Sequence, residues 1–383
     1  MPAGSASPPV RIAFYAPLKP PTHATPSGDR RVAGLLMDAL ELVAEHVELV
    51  STFRSFDGDG DAARQLALRS QGEALAERLV AGWRAGPAPL RPNLWFTYHV
   101  YYKAPDWLGP AVSAALGIPY VIAEASLAEK RAAGPWAMGH EAASEAIRRA
   151  HLVISPSRDD VAGLEKLVAR ERIVHLPPFL DAGLYRAAAG QREHHRKKLA
   201  QAHGLDMSVP WIFVAAMMRP GDKLASYRAL AAALARLADL PWRLVVAGGG
   251  PARTEVEAAL EESVPGRAAF IGILEGRQLA AVYAACDLYA WPAVNEAYGM
   301  SMLEAQAAGI PVVSRATRGV PDVVMDGRTG VLTQSEDLAP ALRQLLTDPV
   351  RRAALGANAA AFIAAERSLD AAARRMGGLL AAL

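Results

Sequence analysis

The chain has 383 residues, of which 52% are hydrophobic, and this length favours two domains with substantial cores. Its 41 basic and 39 acidic residues leave a net charge of +2, which argues against a nucleic-acid-binding protein. The single cysteine, Cys286, excludes an intrachain disulfide and is expected to be a small buried apolar residue. No uninterrupted apolar run is long enough to span a membrane, and residues 1–10 are predicted to be a flexible leader, not a signal peptide. These features predict a cytoplasmic protein and do not exclude peripheral membrane contact.

Short apolar or β-branched runs alternate with long alanine-rich helical patterns along the whole chain. Six strands are predicted in the first half, at 11–15, 47–52, 94–98, 120–125, 152–156 and 173–176. Six more are predicted in the second half, at 211–216, 243–247, 268–271, 288–291, 311–314 and 330–332. Alternating strands and helices predict parallel sheets covered on both faces, so the two series predict two doubly wound α/β domains. Ligands of such domains bind at the carboxyl ends of the strands.

The predicted break between the two domains follows Pro177 and Pro178, near residues 181–210. We expect a first domain over residues 1–182, a second over 183–367 and a C-terminal helix over 368–383. The densest basic run, residues 191–198, is either an anion-binding site or a solvated helix face. The solvated face is the favoured interpretation.

The most informative segment is residues 295–304, which follow a predicted strand and lead into a predicted helix. Glu296 lies in the turn, where its carboxylate can meet a ligand at the strand's carboxyl end. Gly299 allows close approach to the backbone, and the amides of a helix start suit an anion such as a diphosphate. Glu304 lies about one turn into the helix, on the side facing its N-terminus. Carboxylates beside an anion site favour a ligand that also carries vicinal hydroxyl groups, as a nucleotide-sugar does.

This segment resembles the Glu-x7-Glu motif of the retaining nucleotide-sugar glycosyltransferases of family 4, the glycosyl transferases group 1. The resemblance implies the GT-B fold, in which two Rossmann-like domains enclose a cleft and the last helix returns to the first domain. It also implies that Glu296 is a catalytic residue that contacts the donor sugar, that Glu304 holds the ribose and that the backbone between them holds phosphate. The residues of that backbone are Ala297, Tyr298, Gly299, Met300 and Ser301. The alternative is an ordinary strand–helix unit with two incidental acids.

Two cations, Arg219 and Lys223, lie in the loop after the first strand of the second domain, where a helix begins. Fixed cations stabilise a diphosphate leaving group as a glycosidic bond breaks. The pair matches the Arg…Lys pair of the resembled family, although the loop is slightly shorter here. The resemblance therefore implies catalytic roles for both residues, with neither a metal nor a cofactor. A solvated loop is the alternative.

Two further segments of the second domain resemble nucleotide-binding turns of the family. Residues 245–251 form a strand followed by a glycine turn, which is not a dinucleotide-binding fingerprint. The resemblance places Gly248 near the nucleotide, and it makes Ile273 and Leu274 candidates to meet the nucleobase.

The first domain matches the family less closely. Gly28 opens the first predicted helix, where the family has a glycine-rich loop near phosphate and acceptor. His99 and Tyr101 follow a predicted strand, and these residue types suit sugar stacking and hydrogen bonding. The family commonly has a histidine after the next strand, but that position here holds Glu124 or Ser126. Glu124 is either an acceptor-binding carboxylate or an ordinary turn residue.

Residues 55–61 contain three aspartates, but an EF-hand would need glycine and glutamate where Ala62 and Leu68 stand. We therefore predict a loop there and no metal site. The resemblance predicts metal-independent, same-face transfer of a sugar from a nucleotide-sugar to a glycan, lipid or small-molecule acceptor. The alternatives are a nucleotide-sugar epimerase, a phosphorylase-like enzyme and a non-catalytic nucleotide-sugar-binding protein. The sequence assigns neither the acceptor nor the oligomeric state.

Overall fold

The computed structural model describes residues 10–25 and 27–383, so the predicted leader lies outside the described part except for its last residue. Alternating strands and helices build two compact units, which are described separately. The first unit extends to Pro177 and includes Leu369–Leu383, and the second is Pro178–Ser368.

The first unit is built on a parallel sheet of six strands. They are β1 (Arg11–Tyr15), β2 (His46–Ser51), β3 (Leu94–Val100), β4 (Tyr120–Ala125), β5 (Leu152–Ser155) and β6 (Ile173–His175). The helices between them are α1 (Gly28–Glu41), α2 (Ala62–Ala85), α3 (Gly109–Leu116), α4 (Ala137–Arg149) and α5 (Val161–Leu164). Short 3-10 turns lie at Ala88–Leu90, Glu129–Arg131 and Arg170–Arg172. The strand order β2-β1-β3-β4-β5-β6 reverses direction between β1 and β3, where such sheets bind ligands.

The second unit has its own parallel sheet of six strands. They are β7 (Trp211–Ala215), β8 (Arg243–Ala247), β9 (Ala268–Gly272), β10 (Leu288–Trp291), β11 (Val312–Arg315) and β12 (Gly330–Thr333). Its helices are α6 (Gly183–Ala189), α7 (Arg192–His203), α8 (Asp222–Ala235), α9 (Arg253–Ser263), α10 (Gly276–Ala285), α11 (Met300–Ala307), α12 (Val320–Val323), α13 (Ala339–Thr347) and α14 (Pro349–Glu366). The order β12-β11-β10-β7-β8-β9 reverses direction between β7 and β10.

The predicted α/β fold with two doubly wound sheets is confirmed. Each of the predicted strands is present, and its ends lie within two residues of the predicted ones. All residues of β4 and of β10 are buried, as expected for central strands of parallel sheets that carry helices on both faces. Continuous apolar runs therefore gave a strong signal in this chain.

The last helix, α15 (Leu369–Leu380), belongs to the first unit and packs against α1. A Cβ at Gly377 would lie 3.1 Å from a methyl carbon of Val43, so a small residue allows the helix to approach closely. Ser368, just before α15, pairs with Leu180 in an isolated parallel bridge. Because this bridge ties Leu180 to the second unit, the boundary between the units lies a few residues before the predicted one.

A buried carboxylate organises the connection from β3 to α3. Asp106 accepts hydrogen bonds from the hydroxyls of Thr97 (2.5 Å) and Tyr120 (2.7 Å). It also accepts the amides of Leu108 (2.9 Å) and Gly109 (2.8 Å), which begin α3. Burial raises the pKa of Asp106 although all four donors favour its charged form. This network holds the segment after β3, which carries several candidate site residues.

The basic run over residues 191–198 has a structural role that the sequence analysis did not predict. Arg192 and Arg196 bind the two oxygens of the Asp287 carboxylate at 2.6 and 2.9 Å, and they also bond carbonyl groups at the end of α10. The Arg196 guanidinium lies 4.0 Å from the ring centroid of Trp211. Part of the expected solvated face therefore docks α7 onto α10, while the lysines of the run remain exposed.

Candidate functional site

The loops after β7 and β10 meet at the reversal point of the second sheet. Lys223, in the first turn of α8, donates a hydrogen bond to Glu296 Oε2 at 2.5 Å. The indole Nε1 of Trp291 lies 3.3 Å from the same oxygen, and the Lys223 ammonium lies 5.4 Å from the Trp291 ring centroid. The side chains of Lys223 and Glu296 are 30% and 18% exposed, so this pair is accessible to a ligand. Two of the predicted catalytic residues are thus in direct contact.

The backbone around Glu296 is strained. Ala293, Asn295 and Gly299 have φ values of 58°, 53° and 73°, in the left-handed region that favours glycine. Arg318, in the loop after β11, has a φ of 44°. A non-glycine residue in this region costs on the order of 1 kcal/mol or more, and such residues cluster at ligand sites. Three of them therefore mark the carboxyl edge of this sheet.

Side-chain hydrogen bonds hold the strained loop against α8. The Val294 amide donates to Ser226 Oγ at 3.0 Å, and Asn295 Nδ2 donates to Asp222 Oδ2 at 2.9 Å. Arg318 Nη1 donates to Asn295 Oδ1 at 2.9 Å, which ties a third loop to the other two. Asn295 is therefore a bridge that positions the neighbouring Glu296 carboxylate.

A buried tyrosine forms a hydrogen bond with the first turn of α11. Tyr289 donates its hydroxyl to Ser301 Oγ at 2.7 Å, and burial raises the pKa of Tyr289, so the phenol stays protonated. Gly299 is the N-cap residue of α11, and Met300 is the first residue of the helix. Glu304 is 3% exposed, whereas Glu296 is only half-buried. The two carboxylates of the motif therefore lie in different environments.

The glycine turn after β8 lies against the loop that carries the cations. A Cβ at Gly248 would lie 2.0 Å from the carbonyl oxygen of Ala216, and one at Gly250 would lie 2.3 Å from that of Met218. Their φ values are 142° and 148°. Neither position has room for a larger side chain unless the neighbouring backbone moves.

Five other predicted site residues follow strands of the same sheet. Ile273 is 73% exposed, which is unusual for a large apolar side chain, and it lies over Gly249. Leu274 follows it and is half-buried. Arg219 is exposed in the loop between β7 and α8, and Ala297 and Tyr298 lie in the Glu296 loop.

A second cluster lies at the carboxyl edge of the first sheet. His99 Nδ1 lies 3.2 Å from Asp29 Oδ1 and 3.4 Å from Glu124 Oε1. Burial alone would lower the pKa of His99, but the negative charges of Glu124, Asp29 and Asp160 outweigh it and raise the pKa. The pKa of Asp29 is lowered because its contacts with His99 outweigh burial. The geometry therefore favours an imidazolium between two carboxylates.

The cluster depends on two strained residues that face each other across β3 and β4. His99 has a φ of 65° and Glu124 a φ of 63°. The strand pairing is Tyr98 with Ala123 and Val100 with Ala125. His99 and Glu124 therefore stand side by side, each turned out of the regular strand. The predicted strand ended before His99, whereas the observed strand continues to Val100.

The remaining first-unit candidates surround this cluster. The Tyr101 ring centroid lies 5.0 Å from that of His99. Ser126 follows β4, and its amide donates to the Val100 carbonyl at 3.2 Å. Gly28 is the first residue of α1, and a Cβ added to Gly28 would meet no atom within 4 Å, so packing does not require glycine there.

The aspartates of residues 55–61 form a loop, as predicted. Asp57 accepts hydrogen bonds from the amides of Asp59 and Gly60 and from the side chain of Gln65. Asp61 is the N-cap of α2. Across residues 10–25 and 27–383, no cluster of three or more His, Cys, Asp or Glu side chains is arranged to hold a metal. The helices of this part of the chain are also too short or too polar to cross a membrane.

Comparison with known proteins agrees with this arrangement. Residues 221–362, within the second unit, match the family described as glycosyl transferases group 1. The chain belongs to this family. A D-inositol 3-phosphate glycosyltransferase of Rhodococcus erythropolis is 30% identical over 301 residues, which cover 73% of this chain and 66% of that protein. One from Corynebacterium aurimucosum is 33% identical over 196 residues, covering 49% and 46%. The matched region thus spans 66% and 46% of the lengths of these two relatives.

Comparison with solved structures shows the fold of the chain. Anabaena HepE in complex with UDP has a TM-score of 0.70 at 18% identity and covers 98% of this chain and 100% of its own. A sucrose-phosphate synthase from Thermosynechococcus elongatus has a TM-score of 0.68 at 20% identity, with 97% and 98% covered. The predicted GT-B fold is therefore confirmed.

Sequence reasoning missed several residues of this group 1 chain. Asp222, Ser226 and Arg318 support the Glu296 loop, and Asp29 pairs with His99. Asp29 could have been found from the sequence, since an acid in the first turn of a helix that follows a strand lies at the carboxyl edge of the sheet. The contacts of Arg318 could not have been found, because they depend on which strands are neighbours in the sheet.

Proposed function

We propose that this chain transfers a sugar from a nucleoside diphosphate sugar to a hydroxyl-bearing acceptor, without a metal ion and with retention of configuration. The observation that carries the proposal is the Lys223–Glu296 pair at the reversal point of the second sheet. A cation and a carboxylate side by side suit a ligand in which phosphate adjoins sugar hydroxyls. Anabaena HepE, which has the same fold, was solved with UDP-glucose, a ligand of this kind. Membership of the group 1 family supports the same reaction class.

Donor binding would change the partner of Lys223. In the structure, the Lys223 ammonium pairs with the Glu296 carboxylate. A diphosphate carries more negative charge than one carboxylate and competes for the ammonium. Glu296 then becomes free to accept hydrogen bonds from sugar hydroxyls, held in place by the Asn295 bridge. Arg219 and the amides at the start of α11 add further positive potential.

The same groups would stabilise the leaving group. Negative charge grows on the diphosphate oxygen as its bond to the anomeric carbon breaks, and Lys223 and Arg219 are the cations placed to balance it. The departing oxygen takes the proton of the acceptor hydroxyl as that hydroxyl attacks from the same face. One carbon–oxygen bond forms, another breaks, and no carboxylate nucleophile is needed.

The nucleoside end of the donor would lie beside the glycine turn and the loop after β9. The exposed Ile273 side chain offers an apolar surface to a flat base. Gly248 and Gly250 keep the glycine turn packed against the backbone of the cation loop. Glu304 is assigned to the ribose diol. Glu304→Ala should therefore weaken nucleotide binding far more than Glu296→Ala does. Equal losses, measured by calorimetry with the nucleoside diphosphate, would contradict these two roles.

The first test is thermal unfolding with UDP, GDP, ADP, TDP and CDP, each with and without Mg²⁺. A ligand at about a hundred times its dissociation constant adds roughly 2.7 kcal/mol to the free energy of unfolding. A selective shift that does not need Mg²⁺ supports the donor site and identifies the base. No shift with any of the five contradicts the proposal.

A second test separates the alternatives. Incubation with the matching nucleotide-sugar and no acceptor should give slow hydrolysis. Release of a changed free sugar would indicate an epimerase, and the absence of any turnover would indicate a binding protein. The anomeric configuration of a transfer product, read by NMR coupling constants, tests retention.

A further inference from the structure

Glu124 has a carboxylate oxygen with no partner. The residue is 9% exposed, and its Oε1 faces His99 Nδ1 at 3.4 Å. Its Oε2 is buried and accepts no hydrogen bond from any residue that the structure describes. Leaving a buried acceptor without a hydrogen bond lowers the stability of the fold. A buried acceptor in this state calls for an explanation, and a ligand that completes the site supplies one.

The backbone adds a second cost at the same place. Glu124 and His99 have φ values of 63° and 65°, a conformation that glycine would adopt without strain. The chain instead has a carboxylate and an imidazole there. Neither side chain relieves the strain of this backbone conformation. Their contribution must therefore be to the binding chemistry of the cluster.

We propose that Asp29, His99 and Glu124 form a subsite for a hydroxyl group of the sugar acceptor, which donates its hydrogen bond to Glu124 Oε2. The inference rests on the proposed function, because an acceptor exists only if the chain transfers a sugar. It specifies the acceptor as a sugar or cyclic polyol that presents a neutral hydroxyl at this point.

The surrounding charges favour a hydroxyl over a phosphate. Two carboxylates, those of Asp29 and Glu124, lie beside the imidazole, and the negative charge of Asp160 also raises the His99 pKa. The neighbouring cations have other partners. The charge of Lys19 helps to lower the pKa of Asp29, and the Arg54 side chain donates a hydrogen bond to a backbone carbonyl at 2.8 Å. A phosphate at Oε2 would meet a like charge and has no proton to donate when fully ionised. A hydroxyl has one, and it carries no charge.

The aromatic neighbour fits the same ligand. The Tyr101 ring lies 5.0 Å from the imidazole and is only half-buried. The C–H face of a sugar or cyclitol packs against an aromatic ring while its hydroxyls bond nearby carboxylates. The relatives named for D-inositol 3-phosphate act on a phosphorylated polyol, so that compound and its parent form a matched pair of probes.

The test uses the full chain with UDP present and ¹³C-labelled histidine. The imidazole signal of His99 is assigned from its loss in His99→Gln. The chain is titrated with myo-inositol, glucose, inositol 3-phosphate and glucose 6-phosphate. Glu124→Gly removes the carboxylate and suits the φ of 63°, so this variant should fold. Glu124→Gln keeps the shape without the charge, and Glu129→Gln, at an exposed acid that pairs with Lys166, is the control.

At least one neutral polyol should shift the His99 signal, and Glu124→Gly should weaken that binding about tenfold or more while Glu129→Gln does not. Absence of a shift with both neutral polyols overturns the inference. So does unchanged binding in Glu124→Gly, or tighter binding of a phosphate ester than of its parent at His99.

Two further readouts separate this inference from the proposed function. UDP binding to wild type without polyol binding defeats the subsite alone, whereas absence of both defeats the donor proposal as well. If Glu124→Gly weakens UDP-glucose binding but not UDP binding, the hydroxyl belongs to the donor sugar, and the assignment to the acceptor is overturned.

Discussion

Replacing Gly248 with alanine tests how tightly the glycine turn is built against the cation loop. The new Cβ would lie 2.0 Å from the Ala216 carbonyl oxygen, a separation that real Cβ atoms essentially never show. The φ of 142° adds about 1–3 kcal/mol of backbone strain, and displacing packed atoms adds about 1–3 kcal/mol. We therefore expect a loss of about 3 kcal/mol in the free energy of unfolding.

The displacement should also weaken nucleotide binding. Ala216 begins the loop that leads to Arg219 and Lys223, so a shift of its carbonyl moves the segment that holds both cations. Urea unfolding measures the stability change, and calorimetry with the nucleoside diphosphate measures affinity, which should fall about tenfold or more. Gly82→Ala is the matched control, because a Cβ there meets no atom within 4 Å. In a helix it should add about 0.5–1 kcal/mol and leave affinity unchanged.

Two results would refute parts of this reasoning. Unchanged stability in Gly248→Ala would mean that the two loops readjust freely, and the steric argument would be wrong. Lower stability with unchanged affinity would keep the steric argument and remove the turn from the donor site.

Three other perturbations act elsewhere in the molecule. Lys223→Met should lower the turnover of the nucleotide-sugar by about 10²–10³-fold, whereas Lys197→Met, on the exposed face of α7, should leave it within about twofold. Asp106→Ala leaves four buried hydrogen-bond donors without an acceptor, and it should lower the free energy of unfolding, measured by urea unfolding, by about 3–5 kcal/mol. The raised pKa of His99 means that its ion pairs stabilise the folded state fully below the unfolded pKa of about 6.5. The stability difference between wild type and His99→Gln should therefore shrink as pH rises through the folded pKa, and a difference that grows would contradict the assigned protonation.

Strand periodicity predicted the fold well for a physical reason. Central parallel strands are covered on both faces, so β4 and β10 are continuous buried runs that stand out from the alanine-rich helices between them. The left-handed conformations of His99 and Glu124 could not be predicted in this way. Neither position holds glycine, and the conformation follows from how β3 and β4 pair.

The donor-site candidates were predicted from local motifs, whereas the contacts that position them were not. Glu296 and Lys223 each follow a strand, so both were expected at one sheet edge, but their pairing depends on β7 lying beside β10. The Asn295 bridge to Asp222 and Arg318 depends on the same strand order. Arg192 shows the opposite case, because its charge predicted a solvated face while its geometry docks a helix.

Backbone strain distinguishes two uses of a sheet edge in this chain. At Gly248 and Gly299, glycine carries the unusual backbone, and a Cβ there would lie 2.0 Å from the Ala216 carbonyl oxygen or from Met302 Cε, respectively. At His99 and Glu124, side chains are retained in a conformation that glycine would adopt more easily, and one carboxylate oxygen remains unsatisfied. The backbone strain and the unsatisfied oxygen both lower stability, so we infer that the side chains themselves are used for binding. The free energy of unfolding of Glu124→Gly relative to wild type therefore measures how much stability the cluster loses by keeping this carboxylate for its ligand.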